Sequence, residues 1–505
     1  MGSRRRQGRD LGKDRRGACT PPPAVGGRFR PLSTADSETI RCAALDILAR
    51  IGMAEAPDWL SNTLIGGGAR RRDDGRMVFP RRCVEAAIER AARTVSLPGF
   101  VEDRGLEIGG GRVHIGTGGA AVQVLDAATE TFRDSTLADL YGLMRVLDHC
   151  PNVHYGVRPV VARDMTTPAA LDINTAFACL KATGKPIGVS FDSAGHVDPV
   201  IDLFDTALGT ADQFRKQPFC MAVIVHAVSP LRYAPEGLGI MAAAIERGMP
   251  LQICTAGQAG ATSPAALAGA LAQGLAESLA GLMVVEAIRP GHPCIFAFMP
   301  FISDLRTGAM SGGGGESAVA NAAAAQLLRD LGLPSTVSAG MTDSKIADAQ
   351  AGYEKGYSVA LAAQAGADMI NLSVGMLGSI MVASPETMVI DDEMCGAILR
   401  TVRGVDASPG MIDLEAIEHV VTGDGHYLGE AQTLALMKTE YVYPALGDRQ
   451  SVDDWTEAGR RSIWARACER VGEIAAIPPE HLPAEAERRI RERFDIRLEK
   501  TEEAA

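Results

Sequence analysis

Segment 340–357, GMTDSKIADAQAGYEKGY, places an acid, a hydroxyl and a base side by side, and these groups can do chemistry. It follows the apolar run STVSAG, and Asp343, Ser344 and Lys345 then occupy what the pattern predicts to be the first turn of a helix. A lysine is unfavourable there, because a helix N-terminus already carries partial positive charge. We therefore expect Lys345 to face an anionic ligand group or a paired aspartate, Asp343 or Asp348.

A second chemistry-bearing segment is FMPFISDLRTGAMSGGGGES, residues 298–317. Phe298 follows an apolar run and could pack in the core or line a pocket, whereas Phe301 lies past that run and is expected to face a pocket. Arg306 adds a cation. The glycines would let a large flat ligand approach the backbone, or would form a flexible lid; three of them are taken as candidates to contact a cofactor, namely Gly312, Gly313 and Gly314. Their spacing matches no nucleotide-binding fingerprint.

The histidines follow no metal-ligand spacing. The sequence has neither HExxH nor a histidine followed by paired cysteines, so no bound metal is expected. His226, at the end of a predicted strand, is a candidate substrate contact, with a structural role as the alternative.

The elements that must position these groups form a regular series from about residue 120. Apolar runs alternate with helical segments, and eight such units in about 260 residues predict a (β/α)8 TIM barrel of class α/β. The predicted strands are 121–126, 152–157, 186–191, 221–228, 251–257, 294–300, 335–340 and 368–374. A doubly wound open sheet is the alternative. In a barrel, both segments described above reach the carboxyl ends of strands, where active sites lie.

The remaining chain divides into extensions of the barrel, which is predicted over 121–385. Residues 1–35 are predicted to be a disordered basic tail, 36–120 an N-terminal helical and small-sheet extension, and 386–505 a C-terminal helical layer. The net charge of −12 argues against nucleic acid or an anionic membrane as the main partner. The apolar run at 267–288 contains glutamine and glutamate and is predicted to be a buried helix, not a membrane span.

The ten cysteines bear on the cellular compartment. They are scattered singly with no CxxC, and most lie in apolar segments, which is typical of reduced thiols in a cytoplasmic protein. The N-terminus lacks the apolar stretch of a signal peptide. We therefore expect a cytoplasmic protein, and we also expect a homo-oligomer.

Several segments resemble the trimethylamine methyltransferase family. They are GTGGAAVQVLD, STLADL, VLDHCPNVHY, GKPIGVS, AGQAGATSPAALAG and AGMTDSKIADAQAGYEK, and the resemblance covers roughly residues 40 to 475. It implies a TIM barrel that moves a methyl group from a methylated amine to the Co(I) of a corrinoid (cobalamin) held by a separate carrier protein. Archaeal trimethylamine enzymes of this kind use pyrrolysine. This chain has only standard residues and resembles the members that act on glycine betaine and related amines, which counts against trimethylamine itself.

The resemblance implies particular roles for the residues introduced above. A quaternary ammonium needs no catalytic base, and aromatic faces would cage it; the candidates are Phe298, Phe301, Tyr353 and Tyr357, with helix packing as the alternative for the tyrosines. A betaine carboxylate would bind Lys345 or Arg306. Asp343 and Lys345 are the residues expected at the reaction centre.

A literal motif match and two other functions stay open beside this hypothesis. DGHYLG, 424–429, fits the D-x-H-x-x-G string by which corrinoid domains present a histidine to cobalt, but no Rossmann-like sequence follows it, so the match is interpreted as coincidental. His426 is kept as a candidate for a cofactor-facing surface. The alternatives are a non-catalytic betaine-binding or sensor protein on the same barrel, and a folate-linked one-carbon transferase.

Overall fold

The computed structural model describes residues 24–423 and 425–499, and its centre is a closed barrel of parallel strands. The barrel strands are β1 (His114–Ile115), β2 (Gly156–Val157), β3 (Ile187–Val189), β4 (Cys220–Val225), β5 (Leu251–Thr255), β6 (Cys294–Phe298), β7 (Ser335–Ser338) and β8 (Met369–Asn371). Each pairs in parallel with the next, and β8 pairs with β1. A parallel bridge between Gly116 and Tyr155 joins β1 to β2 and closes the ring. The predicted (β/α)8 barrel is confirmed.

Each barrel strand is followed by one of the eight helices α4 to α11, which cover the outside of the sheet. In chain order the helices are α1 (Thr34–Arg50), α2 (Asp58–Gly66), α3 (Arg81–Arg90), α4 (Leu137–Asp148), α5 (Pro168–Ala182), α6 (Val197–Leu208), α7 (Pro235–Arg247), α8 (Leu267–Ile288), α9 (Gly315–Asp330), α10 (Ala349–Ala365), α11 (Pro385–Arg403), α12 (Leu414–Thr422), α13 (Ala431–Leu436), α14 (Val452–Glu457), α15 (Ile463–Ala475) and α16 (Ala484–Arg493). Short 3-10 turns lie at Glu102–Arg104 and Ala194–His196. Outside the barrel series, α1 packs on α8, α15 on α11 and α4, and α16 on α6.

The prediction for the first barrel strand was wrong. Segment 121–126 contributes Gln123–Asp126 to a separate four-stranded sheet with Thr131–Asp134, Val382–Ala383 and Met376–Leu377. The strand that closes the barrel is instead β1, in the preceding sequence GRVHIGTGG. Two paired residues between glycines give almost no periodic signal, whereas the longer rim strand shows one.

Four further hairpins or small sheets complete the strands. They are Arg70–Arg71 with Met77–Val78, Val95–Leu97 with Leu106–Ile108, Ala227–Val228 with Arg232–Tyr233, and the three strands Gln258–Ala259, Phe301–Ser303 and Met310–Ser311. The second of these closes the amino-terminal end of the barrel: its apolar side chains pack on Met221, Ile295 and Met369 inside the ring.

A chain of uncharged polar side chains crosses the barrel interior. The Tyr155 hydroxyl donates to Asn371 Oδ1 at 2.6 Å, Asn371 Nδ2 donates to Gln252 Oε1 at 3.1 Å, and Gln252 Nε2 donates to Thr336 Oγ1 at 2.9 Å. All four side chains are buried, and each bond satisfies a group that would be costly to leave unpaired. These bonds join β2, β8, β5 and β7 through the interior.

The 22-residue helix α8 is long and apolar enough to span a bilayer by length and composition, but 89% of its most apolar window is buried inside the protein. It lies under α1 and against β5 and β6. Its Glu277, fully buried, accepts hydrogen bonds from Ser229 Oγ, Leu231 N and Gln273 Nε2, so the loop after β4 is tied to it. The predicted buried helix is confirmed.

We predict that Gly274→Ala destabilises the protein, because a Cβ there would overlap the Phe298 ring that packs β6 on α8. Forced overpacking of this kind costs about 1–3 kcal/mol. Gly142 in α4 is the matched control: a Cβ there meets nothing within 4 Å, so Gly142→Ala should be neutral or stabilising, since alanine favours helix. Urea unfolding of both variants measures the difference, and equal stabilities would contradict the packing described.

Candidate active site at the barrel mouth

The carboxyl ends of the barrel strands open into a mouth bordered by paired loop segments. The loops after β5 and β6 form the sheet of Gln258–Ala259, Phe301–Ser303 and Met310–Ser311, which we call the lid sheet. The loops after β1 and β8 pair with each other in the four-stranded sheet described above. Loops from opposite ends of the barrel sequence are thus fixed to one another around the opening.

The upper lumen is uncharged and accessible. Val223 faces inward, since a Cβ on Gly188 would meet the methyl groups of Val157 and Val223. Val225, two residues further towards the mouth, is therefore inward as well, and its side chain is 52% exposed although it lies on a barrel strand. Cys254 is its register partner on β5. The eight strands contain no Asp, Glu, Lys or Arg, so the strand side chains that face the space above the polar chain carry no acidic or basic group.

Asp343 is the centre of a hydrogen-bonded group that holds the loops after β6, β7 and β8 together. Its Oδ2 accepts from Ser311 Oγ at 2.9 Å, and its Oδ1 accepts from Gly312 N at 2.8 Å and from Ser379 Oγ. We call this set of four residues the loop clamp. Both oxygens accept from these donors, which gives Asp343 a positioning role at the mouth, and its direct part in the reaction stays a prediction.

The charge of Asp343 is favoured by its surroundings. Partial burial acts to raise the pKa of the carboxyl, but the hydrogen bonds from Ser379, Gly312 and Ser311 outweigh it and hold the pKa below its usual value. The carboxylate form is therefore the one that the loop clamp stabilises.

The glycine run is explained by packing, not by a ligand. A Cβ on Gly313 would overlap the carboxylate of buried Glu354, and one on Gly312 would lie 2.8 Å from Met341 Cβ. Glu354 in turn accepts from Thr342 Oγ1 at 2.5 Å. The packing of these glycines replaces their predicted role as cofactor contacts. Gly312 packs against the loop after β7, Gly313 packs against α10, and Gly314 is the N-cap of α9.

The prediction that residues 343–345 begin a helix was wrong. Helix α10 begins at Ala349, with Asp348 as N-cap accepting from Ala351 N at 3.0 Å. Lys345 lies in the preceding loop, exposed, and its Nζ donates to the backbone oxygen of Asp343 at 2.6 Å. It pairs with neither aspartate side chain, and it supports the backbone of the loop clamp. Aspartate and serine disfavour helix interiors by bonding locally, and here the Ser344 hydroxyl donates to Ile346 O and to Asp348, so the stretch is a curved loop and not a helix.

The same segment contains a second lysine, and this one is buried. Lys355 on α10 is 1% exposed and pairs with Asp391 on α11 at 2.8 Å. Asp391 also accepts from Gly375 N at 2.8 Å, so the pair connects two helices with the loop after β8. Burial raises the pKa of Asp391 despite the attraction of Lys355.

The structure separates the two predicted phenylalanines. Phe298 is 2% exposed and packs outward against α8, so it does not line the mouth. Phe301 is half-buried in the lid sheet, where its N–H donates to Gly257 O at 3.1 Å. Arg306 lies at the end of the lid sheet, where its Nε and one Nη donate to Asp304 at 2.9 and 2.7 Å, and the other edge of its guanidinium is exposed.

The two tyrosines lie on the outer rim. Tyr353 is 59% exposed and stacks on Tyr357 with ring centroids 6.5 Å apart, so it is neither core nor part of an enclosed cage. The Tyr357 hydroxyl donates to Gly313 O. Tyr353 therefore lies on the solvent side of α10, whereas Tyr357 is half-buried against the glycine run.

The two histidines are also placed away from the lumen. His226 is fully buried between β4 and α8, where its Nε2 lies 2.9 Å from Glu277 O, and burial lowers its pKa to about 4. His426 is exposed between α12 and α13, and the described residues after it form helices and loops without a β/α domain. The contacts of His226 support its structural alternative, whereas the place of His426 on a cofactor-facing surface stays a prediction. Within the described ranges no three His, Cys, Asp or Glu residues are placed to hold a metal.

Sequence reasoning missed the residues that organise the mouth. Glu354 lies inside the segment quoted first, but nothing in its spacing marks it as buried. Ser379 is one of many serines, and its role depends on a contact across 36 residues. Val225 could have been found, since it follows Val223 in an alternating strand that ends at the mouth.

We predict that Asp343→Asn weakens the loop clamp by about 1–3 kcal/mol at neutral pH, because an amide cannot accept from all three donors. The wild-type pKa is lowered, so the carboxylate's contribution is present above the unfolded value of about 3.9 and is lost as pH falls through the folded value. The gap in unfolding free energy between wild type and variant should therefore narrow below about pH 4. Urea unfolding from pH 7 to pH 3 measures it; a gap independent of pH would contradict this role.

We predict that replacing Lys355 lowers the stability of the protein far more than replacing Lys345. Lys355→Met leaves Asp391 charged and unpaired in the interior and should cost about 3–5 kcal/mol, with much recovered on adding Asp391→Asn. Lys345→Met removes an exposed bond to a carbonyl and should change stability by less than about 1 kcal/mol. Urea unfolding measures all three variants, and similar losses for both single variants would refute the assignment.

Comparisons with known proteins identify the family. Residues 2–501 match the family model described as trimethylamine methyltransferase (MTTB). The glycine betaine methyltransferase of Desulfitobacterium hafniense strain Y51 is 29% identical over 408 residues, covering 80% of this chain and 84% of that protein. The trimethylamine methyltransferase MttB of D. hafniense strain DSM 10664 / DCB-2 is 28% identical over 446 residues, with coverage of 88% and 89%. MttB2 of Methanosarcina mazei is 30% identical over 377 residues, with coverage of 73% and 75%. The chain therefore belongs to the trimethylamine methyltransferase family, and it is a methyltransferase.

Proposed function

We propose that this methyltransferase takes a methyl group from a quaternary or tertiary methylated amine of the glycine betaine type and delivers it to the Co(I) of a corrinoid on a separate carrier protein. The family assignment supports a methylated amine as donor, since the relatives' names include glycine betaine and trimethylamine methyltransferases. The neutral, open lumen around Val225 is the observation that carries the proposal.

The electrostatics of the lumen suit a quaternary ammonium donor. The donor loses its positive charge as the methyl group leaves, so a nearby carboxylate would bind the ground state more strongly than the transition state and would slow transfer. A neutral lining such as Val223, Val225 and Cys254 avoids that penalty while it removes water from the donor. A quaternary donor leaves as a neutral tertiary amine, so its transfer needs no proton and no catalytic base. A tertiary donor transfers its methyl group as the protonated ammonium and then leaves as a neutral secondary amine.

Orientation is the remaining requirement, and the mouth supplies it. A methyl group must be aligned with the incoming nucleophile, and fixed alignment removes much of the entropic cost of a bimolecular step. The loop clamp fixes the lid sheet, and the lid sheet carries Phe301, which we propose offers an aromatic face to the ammonium, worth about 0.5–2 kcal/mol. We propose that the corrinoid is held by the carrier protein, since Gly312 and Gly313 pack closely against Met341 and Glu354 of this chain. His426 is exposed and stays a candidate for the surface that faces the corrinoid.

The proposal predicts methyl transfer to free cob(I)alamin from a panel of glycine betaine, choline, tetramethylammonium and trimethylamine. Methylation of the corrinoid is followed by absorbance, and glycine betaine and choline form a matched pair that differs in the carboxylate. We expect transfer from at least one quaternary amine. No transfer from any amine would refute the proposal, and binding by calorimetry without transfer would support a sensor; a requirement for tetrahydrofolate would support the folate-linked reaction.

Substitution of Val225 tests whether methyl transfer takes place in the lumen. Val225→Trp should fill the opening and reduce transfer at least tenfold while leaving the unfolding curve unchanged. Val319→Trp, at an exposed valine on the outside of α9, should leave transfer unaltered. Full activity of Val225→Trp would show that the reaction occurs elsewhere.

A further inference from the structure

The segment 405–452, which we call the arm, carries an exceptional concentration of exposed apolar side chains. Twelve of the 26 exposed large apolar residues among those described belong to it, in 48 of the chain's 505 residues. They are Val405, Ile412, Leu414, Ile417, Val421, Tyr427, Leu428, Leu434, Met437, Tyr441, Tyr443 and Val452. Apolar patches of this extent mark interaction surfaces in soluble proteins.

Helix α12 shows that this exposure has a pattern. Leu414, Ile417 and Val421 recur at i, i+3 and i+7 and form one apolar stripe, exposed by 71%, 44% and 73%. Val420, on another side of the helix, is the one buried against the protein. The helix therefore uses a narrow contact to dock on its own chain and presents its main apolar stripe outward.

The arm is tied to the body by polar contacts near its carboxyl-terminal end. Arg400 on α11 donates to the backbone and carboxylate of Glu440, and Glu393 accepts from the N–H groups of Ala445, Leu446 and Gly447. These bonds fix where the arm lies without covering its apolar side chains. A surface held in place in this way is prepared for a permanent partner.

The area favours a stable assembly over a transient encounter. Twelve large side chains at roughly 100 Å² each offer on the order of 1,000 Å², against about 800 Å² per partner in a standard interface. Permanent assemblies use large apolar interfaces, whereas partners that exchange during a reaction cycle use smaller and more polar ones. This favours a second copy of the chain over a carrier protein that must come and go.

A complementary surface exists near the N-terminus of the described chain. Ile51, Trp59 and Ile65 are exposed by 44%, 50% and 44%. Residues 50–82 around them contain seven Lys or Arg and four Asp or Glu, a net charge of +3. We call this surface, with Arg70 and Arg71 beside it, the basic patch.

The charges of the arm and the basic patch are opposite. Residues 405–452 contain eight Asp or Glu and two Lys or Arg, a net charge of −6, and Glu415 and Glu418 flank the apolar stripe of α12. Two arms facing each other would repel, whereas an arm on a basic patch pairs apolar with apolar and acid with base. We propose that the arm of one copy docks on the basic patch of a second copy, so that the enzyme assembles through a contact between two different surfaces.

A contact between two different surfaces can be tested by complementation. The arm variant is Leu414→Asp/Val421→Asp, and the patch variant is Trp59→Asp/Ile65→Asp. Light scattering at tens of micromolar should show a multimer for wild type and monomers for each variant. An equimolar mixture of the two variants should form dimers, because the intact arm of one meets the intact patch of the other.

Controls separate the proposal from misfolding and from other partners. Val319→Asp, elsewhere on the surface, should leave the multimer intact. Arg70→Glu/Arg71→Glu should weaken assembly at least tenfold, and adding Glu415→Arg/Glu418→Arg in the same chain should restore it. A monomeric wild type, a multimeric arm or patch variant, or a mixture that stays monomeric would overturn the proposal, the last pointing to arm-to-arm contact or to a different protein.

Discussion

The structure depends on the closure of the barrel sheet, which is made at β1 by very few backbone pairs. Strand β1 contributes only two paired residues and a single bridge to β2, yet without it β2 and β8 would be open edges. The polar chain from Tyr155 to Thr336 compensates, because it links strands that are not neighbours through the interior. Closure brings the carboxyl ends of all eight strands to one opening, and the loops that define the mouth can meet only because of it.

The chemistry proposed for this mouth needs the protein to do little bond-making of its own. An uncharged lumen, an aromatic side chain on a fixed lid and the exclusion of water are sufficient for transfer from a cation to a strong nucleophile. The ionic groups of the region serve the framework instead. Asp343 and the pair of Lys355 with Asp391 each join segments that follow different strands, and Glu354 holds the loop after β7 on α10. These charges lie outside the barrel strands.

The barrel could be predicted from the sequence more fully than the candidate site. Seven of the eight barrel strands were predicted because apolar runs at regular spacing report burial on both faces. The first failed because its two paired residues, between glycines, leave no periodic signal. At the site, the role of the segment around Asp343 in the reaction stays a prediction, and Lys345 and Lys355 could not be told apart. Which of the two lysines is buried depends on Asp391 of α11, 36 positions beyond Lys355. Phe298 and His226 were misassigned because a strand end has an inner and an outer side, and only the alternation of neighbours such as Val223 and Val225 reveals which is which.

The loop clamp has a consequence for access to the lumen. Ser311 and Gly312 belong to the loop after β6, Ser379 to the loop after β8, and all three donate to one carboxylate. The loop after β8 is also bonded to the loop after β7. Gly378 N donates to Ser344 O and Ser379 N donates to Thr342 O, both at 2.7 Å. No single loop of the three can swing aside without breaking bonds that hold the others. These three segments, widely separated in sequence, are therefore expected to open together and not one at a time.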